Sequence, residues 1–321
     1  MKIVVLDGYT MNPGDMDWAL LRRLGPCDIH DRTAPGQVVE RSSGAQLLLT
    51  NKTPVTAETI AQLPALRYIG VLATGYNIVD TVAATERGIT VCNIPGYSTA
   101  SVAQMVFALL LEITQQVGHH DRLVRNGDWT ACEDFSLCDR PLMELADKTF
   151  GIVGCGQIGR RVAQIANAFG MKTVVSTANP DKHRHWSQQF QVELVDQPTL
   201  FSRSDVISLH CPLTSDTEHL VDGARLETMK AGAILINTGR GQLIDEAAVA
   251  AALVSGQLGG FAADVLSTEP PAADNPLLGA PNSFITPHIA WATREARKRQ
   301  YAMTLENIRA FLAGTPQNQV N

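Results

Sequence analysis

Residues 148–170 constrain this chain most; they read K-T-F-G-I-V-G-C-G-Q-I-G-R-R-V-A-Q-I-A-N-A-F-G. Residues 149–153 are a short apolar, β-branched run suited to a buried parallel strand. Over residues 160–169, Val162, Ile165, Ala166 and Phe169 recur at helical spacing. Between them lies G-x-G-x-x-G. Gly154 permits a tight strand-to-helix turn, Gly156 leaves room for a pyrophosphate to approach the backbone, and Gly159 lets helix and strand pack closely. The helix start then turns free N–H groups and its positive dipole end toward the phosphates. The motif alone is weak, since ordinary tight turns and some methyltransferase loops share it. Its position after a strand and before a helix makes it a dinucleotide site.

The 321 residues suffice for two domains, each with its own core. Hydrophobic content of 45% and charged content of 18%, without a low-complexity tract, predict a globular protein. A net charge of −6 with scattered basic residues argues against nucleic acid or an anionic membrane as partner. Met1-Lys2 runs straight into an apolar strand, unlike a signal peptide, and no apolar run reaches membrane-spanning length. Six cysteines, Cys27, Cys92, Cys132, Cys138, Cys155 and Cys211, include no C-x-x-C pair. That pattern suggests free thiols in a cytoplasmic protein, with no metal site and no disulfide framework.

Strands alternate with helices along the first hundred residues, with strands expected at 3–6, 47–50, 68–71 and 90–93 and helices near 15–24, 56–63 and 78–87. Two loops at strand ends carry turn chemistry. Residues 72–77 include Thr74 and Gly75, whose backbone N–H groups suit a small anion, and residues 93–99 end in possible N-caps. Both are also compatible with ordinary loops. An apolar helix over residues 100–117 leads into the second domain, and residues 119–137 read as irregular. After the glycine motif, strands are expected at 172–176, 193–195, 206–210, 233–237, 260–264 and 283–286. A last helix over 293–312 is placed to return to the first domain. The expected architecture is α/β: two Rossmann-like doubly wound parallel-sheet domains with a cleft between them. A substrate domain would span 1–99 plus 291–321, and a dinucleotide-binding domain 100–290.

Three polar residues lie just beyond successive strands of the second sheet: Arg240, Glu269 and His288. Ligands of open α/β sheets bind at that carboxyl edge. Arginine offers a planar fork for a carboxylate, histidine a proton near neutral pH, and a carboxylate beside the histidine favours its charged form and fixes the ring. Taken singly, each also reads as a surface charge, a loop acid or a packed histidine. The pairs His119-His120 and His183-x-His185 look solvated, and His210 is expected to pack beneath the cofactor.

With these residues in view, the chain resembles the D-isomer-specific 2-hydroxyacid dehydrogenases over nearly its whole length. The resemblance rests on Thr74-Gly75, Asn93-Ile94-Pro95-Gly96, the glycine motif, His210-Cys211-Pro212-Leu213-Thr214, Ile236-Asn237-Thr238-Gly239-Arg240-Gly241, Asp264 with Glu269-Pro270, and Pro287-His288-Ile289-Ala290. It implies Arg240 as anchor of the substrate carboxylate, His288 as acid/base and Glu269 as its partner. It also implies amides near Thr74 and Gly75 as a second carboxylate site, and Trp291 beside a small substrate pocket. Implied cofactor contacts are Thr99, Gly154, Gly156, Gln157, Ile158, Gly159, Thr177, Asn179, Lys182, His210, Cys211, Pro212, Thr217 and Thr238, with Asp264 at the nicotinamide carboxamide.

Residues 93–104, 135–137 and 288–297 look most like the glycerate dehydrogenase, or hydroxypyruvate reductase, branch. Gln104 stands where a glutamate is commoner and Gly239 where an alanine is frequent, and neither change removes a group the chemistry needs. The implied reaction is reversible NAD(P)H-dependent reduction of a short 2-oxo acid, hydroxypyruvate or glyoxylate, to the D-2-hydroxy acid. Alternatives are the same fold acting on 3-phosphoglycerate, D-lactate, formate or phosphite, or a non-catalytic nucleotide-sensing corepressor. The segment 118–137, with Trp129, resembles the part that packs across a two-fold homodimer.

A ribose-binding acid is expected about 20 residues beyond the glycine motif. Thr177 stands there instead, followed by Lys182, His183 and Arg184, which favours NADP over NAD. Asp181 is the carboxylate that a shifted turn would bring round.

Overall fold

The computed structural model describes residues 1–321, and its contacts divide into two units, Met1–Ser98 with Ala292–Asn321 and Thr99–Trp291. In the first unit, short apolar runs form β1 (Ile3–Val5), β2 (Cys27–Ile29), β3 (Leu47–Thr50), β4 (Tyr68–Val71) and β5 (Thr90–Cys92). They are joined through α1 (Ala19–Arg22), α2 (Val38–Arg41), α3 (Ala57–Ala61) and α4 (Thr81–Glu86). The sheet is wholly parallel in the order β2-β1-β3-β4-β5. Side-chain caps from Thr56 and Asp80 start α3 and α4, so both helices are shorter than the apolar spacing predicts. The sequence reading lacks β2 and α2. The half-exposed Cys27-Asp28-Ile29 has too little apolar content to stand out as an edge strand.

The second unit begins with α5 (Thr99–Gln115) and α6 (Val117–Asn126). Residues 119–137 are therefore not irregular throughout, because α6 extends to Asn126. Gln116 takes a left-handed conformation (φ 48°) that breaks the helical register, and α6 has no buried residue. Its apolar spacing therefore carries little signal. Then follow β6 (Thr149–Val153), α7 (Gln157–Ala168), β7 (Lys172–Ser176), α8 (Pro180–Gln189), β8 (Glu193–Leu194), α9 (Gln197–Arg203) and β9 (Val206–Leu209). The unit continues with α10 (Gly223–Glu227), β10 (Ala233–Asn237), α11 (Glu246–Ser255), β11 (Leu258–Ala263) and β12 (Ser283–Ile285). This parallel sheet runs β12-β11-β10-β9-β6-β7-β8, so the chain reverses direction across the sheet between β6 and β9.

Period-two alternation sorts the core of the second unit. Ile152, Val206, Ile234 and Ile236 pack with Phe107, Val162 and Ala163 on the α5/α7 face. Val153, Ile207, Leu209 and Leu235 pack with Leu200, Phe201, Val249 and Leu253 on the opposite face. Each such fully buried aliphatic side chain contributes roughly 1.5–3 kcal/mol.

Strand register then lines up the functional edge. Val153 pairs with Leu209, Leu209 with Asn237, Asn237 with Ala263, and Ala263 with Ile285. The next residue in each strand's chain, Gly154, His210, Thr238, Asp264 and Thr286, begins a loop on that one edge.

The last helix, α12 (Arg294–Leu312), belongs to the first unit. Its Arg297 is 8% exposed and grips Asp15 through two bonds of 2.6 and 2.7 Å. Gln300 and Asn307 donate to the backbone oxygens of Leu72 and Asn93. No single helix is long and apolar enough to cross a membrane.

Candidate active site

The three glycines of the motif have three different surroundings. Gly154 holds φ +105°, and a Cβ there would lie 2.6 Å from the His210 carbonyl and 2.7 Å from the Cys211 nitrogen. The loop after β6 therefore presses against the loop after β9, where an open sheet forms its crevice. A Cβ at Gly159 would lie 2.1 Å from the Gly154 oxygen, whereas one at Gly156 would meet nothing within 4 Å. Gly156 is the N-cap of α7 and makes no side-chain cap, so the first-turn N–H groups of Gln157, Ile158 and Gly159 are available to an anion. The helix starts at Gln157, three residues earlier than its apolar spacing predicts, since its first turn faces the loop.

Beyond β9, burial drives the His210 imidazole down to about 4, so the ring is neutral at physiological pH. Its Nε2 lies 2.8 Å from the Ser208 hydroxyl. Thr217 ties the same loop together by donating to the Pro212 carbonyl at 2.7 Å and accepting from the Thr214 N–H. Burial also raises the Cys155 and Cys211 thiols, which keeps both protonated and unreactive. The Thr238 hydroxyl oxygen is buried without a protein partner at the end of β10. An open glycine, uncapped helix amides and an orphan hydroxyl on one edge fit a bound dinucleotide.

Arg240 follows β10 in a turn that Asn237 closes. The Asn237 side chain, fully buried, donates to the Arg240 oxygen at 2.8 Å and accepts from the Gly239 N–H at 3.0 Å. The exposed Arg240 guanidinium donates once, to the Gly239 oxygen, keeping its other N–H groups for a ligand. A Cβ at Gly241 would lie 1.9 Å from the Leu266 carbonyl carbon, so the loops after β10 and β11 are in backbone contact. Gln242 reinforces that contact by donating to the Ser267 oxygen.

Glu269 and His288 meet at the end of the next two strands. The Glu269 Oε2 lies 2.6 Å from His288 Nδ1, and its Oε1 accepts from the Leu266 N–H at 3.2 Å. With Nδ1–H donated to a carboxylate, Nε2 is the ring nitrogen left for chemistry. The two side chains are only partly exposed, 28% for His288 and 36% for Glu269. His288 itself has φ +54°, a left-handed conformation rare for residues other than glycine, and such outliers concentrate at active sites.

An NAD binding fold with arginine, glutamate and histidine at this edge agrees with sequence comparison. The profile of the D-isomer specific 2-hydroxyacid dehydrogenase NAD binding domain matches residues 107–290. The chain belongs to the D-isomer specific 2-hydroxyacid dehydrogenase family. It is 48% identical over 324 residues to a hydroxypyruvate reductase of Blautia hydrogenotrophica, covering 100% of both chains. It is 42% identical over 288 residues to a glycerate dehydrogenase of Methylorubrum extorquens, covering 89% of this chain and 88% of that one. Among solved structures, an acyclic imino acid reductase in complex with NADPH and D-Arg superposes with a TM-score of 0.86 at 32% identity, covering 100% of both chains. The resemblance to the glycerate dehydrogenase and hydroxypyruvate reductase branch is thereby borne out, and the protein is an NAD(P)-dependent oxidoreductase.

Elsewhere in this dehydrogenase two expectations change. His119 and His120 are not a solvated pair: His119 Nε2 lies 2.8 Å from Asp139, and His120 Nδ1 meets the Gln116 oxygen at 2.9 Å. His183 is buried and lies 2.6 Å from the Arg160 guanidinium through Nδ1, which must accept because arginine only donates. Burial, then Arg160 and Lys182, lower the His183 imidazole. Arg184 is joined to Asp181 at 2.6 Å, and Lys182 is exposed with no carboxylate partner. Thr177 and Asn179 lie in the turn from β7 into α8, with Asn179 as N-cap. Thr99 opens α5 and donates to the Gln157 side chain at 3.3 Å.

In the first unit, Thr74 and Gly75 lie beyond β4. The Thr74 hydroxyl donates to the Ile94 oxygen and its carbonyl accepts from Asn93 Nδ2, so the bonds holding that loop do not use the N–H groups of Thr74 or Gly75. Sequence reasoning missed Asn237, Gln242 and Glu246, which shape the Arg240 and Glu269 loops. Glu246 accepts from the Ser267 N–H and from Asn275. The available signal was Asn237, a polar residue ending an otherwise apolar strand.

Proposed function

We propose that this dehydrogenase reduces hydroxypyruvate or glyoxylate to the D-2-hydroxy acid, reversibly, with NADPH as the preferred donor. The observation that carries the chemistry is the His288–Glu269 pair at 2.6 Å, on the sheet edge that also bears Arg240. The nicotinamide, when bound, supplies the hydride to the 2-carbon. The Arg240 fork holds the substrate carboxylate. His288, protonated on Nε2 and oriented through Nδ1–H by Glu269, gives its proton to the oxygen as negative charge develops there. Glu269 stabilises the imidazolium before the transfer, and in the reverse direction His288 takes the proton from the hydroxyl. His210 is neutral and bonded to Ser208, which leaves His288 as the proton donor on this edge. The substrate choice is supported by the hydroxypyruvate reductase and glycerate dehydrogenase relatives.

The cofactor preference is supported by the turn after β7. Thr177 stands where a carboxylate would bind the ribose diol and repel a 2′-phosphate. Asp181 faces Arg184, His183 is held by Arg160, and Lys182 is exposed to receive the phosphate. In oxidation assays of NADPH and NADH at matched concentration, hydroxypyruvate and glyoxylate are expected to turn over fast with NADPH, and pyruvate and 3-phosphohydroxypyruvate slowly. A preference for NADH would overturn the cofactor assignment, and a preference for the phosphorylated acid the substrate assignment.

The assembly we propose is a two-fold homodimer formed through α6 and the segment after it. Val117, Val124, Trp129, Phe135 and Leu142 are exposed there, Phe135 at 93%. Large apolar side chains left exposed along one segment suit an interaction surface. Sedimentation should give a dimer at micromolar concentration, and Phe135→Asp should shift it toward monomer; a monomeric wild type would contradict the assignment.

A further inference from the structure

We propose that Asp264 and Trp291 are positioning residues that lock the His288 backbone in its left-handed conformation and act on the reaction through that lock. The inference rests on His288 being the acid/base group. His288, at φ +54°, adopts a geometry that a side chain with a Cβ leaves readily unless its neighbours fix it. Both flanks are fixed here. Asp264 Oδ1 accepts from the Thr286 hydroxyl at 2.6 Å and the Ile289 N–H at 2.9 Å, and Oδ2 accepts from the Ala290 N–H at 2.7 Å. The Trp291 indole N–H donates to the His288 oxygen at 2.8 Å, and the His288 N–H donates to the Thr286 oxygen at 2.9 Å. Donors and acceptors from residues 286–291 therefore close around one strained residue.

The chemistry of the lock requires a carboxylate. All three groups that meet Asp264 are donors, and an ionised carboxylate offers only acceptors. An amide of the same shape would turn an NH₂ toward one of them. Asp264 is 1% exposed, and its own N–H donates to the Asn237 oxygen at 3.0 Å, on the residue that closes the Arg240 turn. Burial raises the Asp264 carboxyl, opposed by the three bonds and by the nearby His288. A charge is kept in so dry a place only where such bonds compensate it. The two oxygens are thus directed at the His288 loop, whereas a contact to the nicotinamide carboxamide would use Asp264 as a ligand-facing group.

The two roles separate experimentally. Asp264→Asn is expected to lower kcat for hydroxypyruvate by about ten- to a hundredfold, the scale for displacing a catalytic group by about 1 Å. The NADPH dissociation constant, from fluorescence titration, should stay within about twofold of wild type. Trp291→Phe keeps the ring, removes the indole donor, and should lower kcat several-fold with KM little changed. Thr286→Val, which removes one Asp264 bond, should give a smaller fall and keeps the test open if Asp264→Asn does not fold. Wild-type kcat in Asp264→Asn and Trp291→Phe would overturn the proposal. So would an Asp264→Asn enzyme whose NADPH affinity falls tenfold while kcat at saturation is unchanged, since that is a cofactor contact. His288→Ala, measured alongside, distinguishes the premise: an active His288→Ala sinks the acid/base role, whereas an inactive one beside an unaffected Asp264→Asn sinks the lock alone.

Discussion

His288→Ala is expected to lower kcat for hydroxypyruvate by roughly a hundred- to ten-thousandfold, the usual contribution of a positioned proton transfer. The reason is geometric. His288 Nδ1 is taken by Glu269 at 2.6 Å, which leaves Nε2 to deliver the proton. The other histidine on this edge, His210, is driven down to about 4 by burial and cannot substitute at neutral pH. NADPH binding should persist, because the glycine loop and the α7 amides follow β6, whereas His288 follows the edge strand β12. Equilibrium binding of NADPH beside steady-state turnover separates the two quantities. Retention of a tenth or more of wild-type kcat would refute the assignment.

The second large effect is expected at Arg240. Arg240→Met removes the cationic fork, and losing one partner of a charge-assisted pair costs about 2–5 kcal/mol. In kcat/KM that is roughly thirty- to several-thousandfold. Arg240→Lys should recover only part of it, because a lysine ammonium lacks the planar fork. The Arg240 backbone is held by Asn237, so neither change should unfold the turn; circular dichroism and thermal unfolding check this. Kinetics of both variants with hydroxypyruvate, within tenfold of wild type, would remove Arg240 from substrate binding.

The central strands of the second sheet were legible because they are buried along their length and read as largely apolar runs. Ala233–Asn237 and Val206–Leu209 are examples. The glycine roles were legible because each rests on backbone sterics that the sequence spacing already encodes; the surroundings of Gly154, Gly156 and Gly159 match them. Less was readable where polar residues do structural work. His183 looked solvated as part of a basic stretch, but its ring is buried against Arg160, a contact across 23 positions that no local pattern contains. The bonds of Asp264 to Thr286, Ile289 and Ala290 were hidden for the same reason, since they join the ends of two neighbouring strands. The α6 helix escaped because only Val117, Leu123 and Val124 are apolar in it and it follows a single left-handed residue, Gln116.

The most direct test is a crystal structure of the complex with NADP⁺ and oxamate, an unreactive analogue of a 2-oxo acid. The oxamate carboxylate is expected on the Arg240 guanidinium and its 2-oxo oxygen at hydrogen-bond distance, about 2.6–3.2 Å, from His288 Nε2. Oxamate bound away from Arg240, or a 2-oxo oxygen turned from His288, would contradict that mechanism.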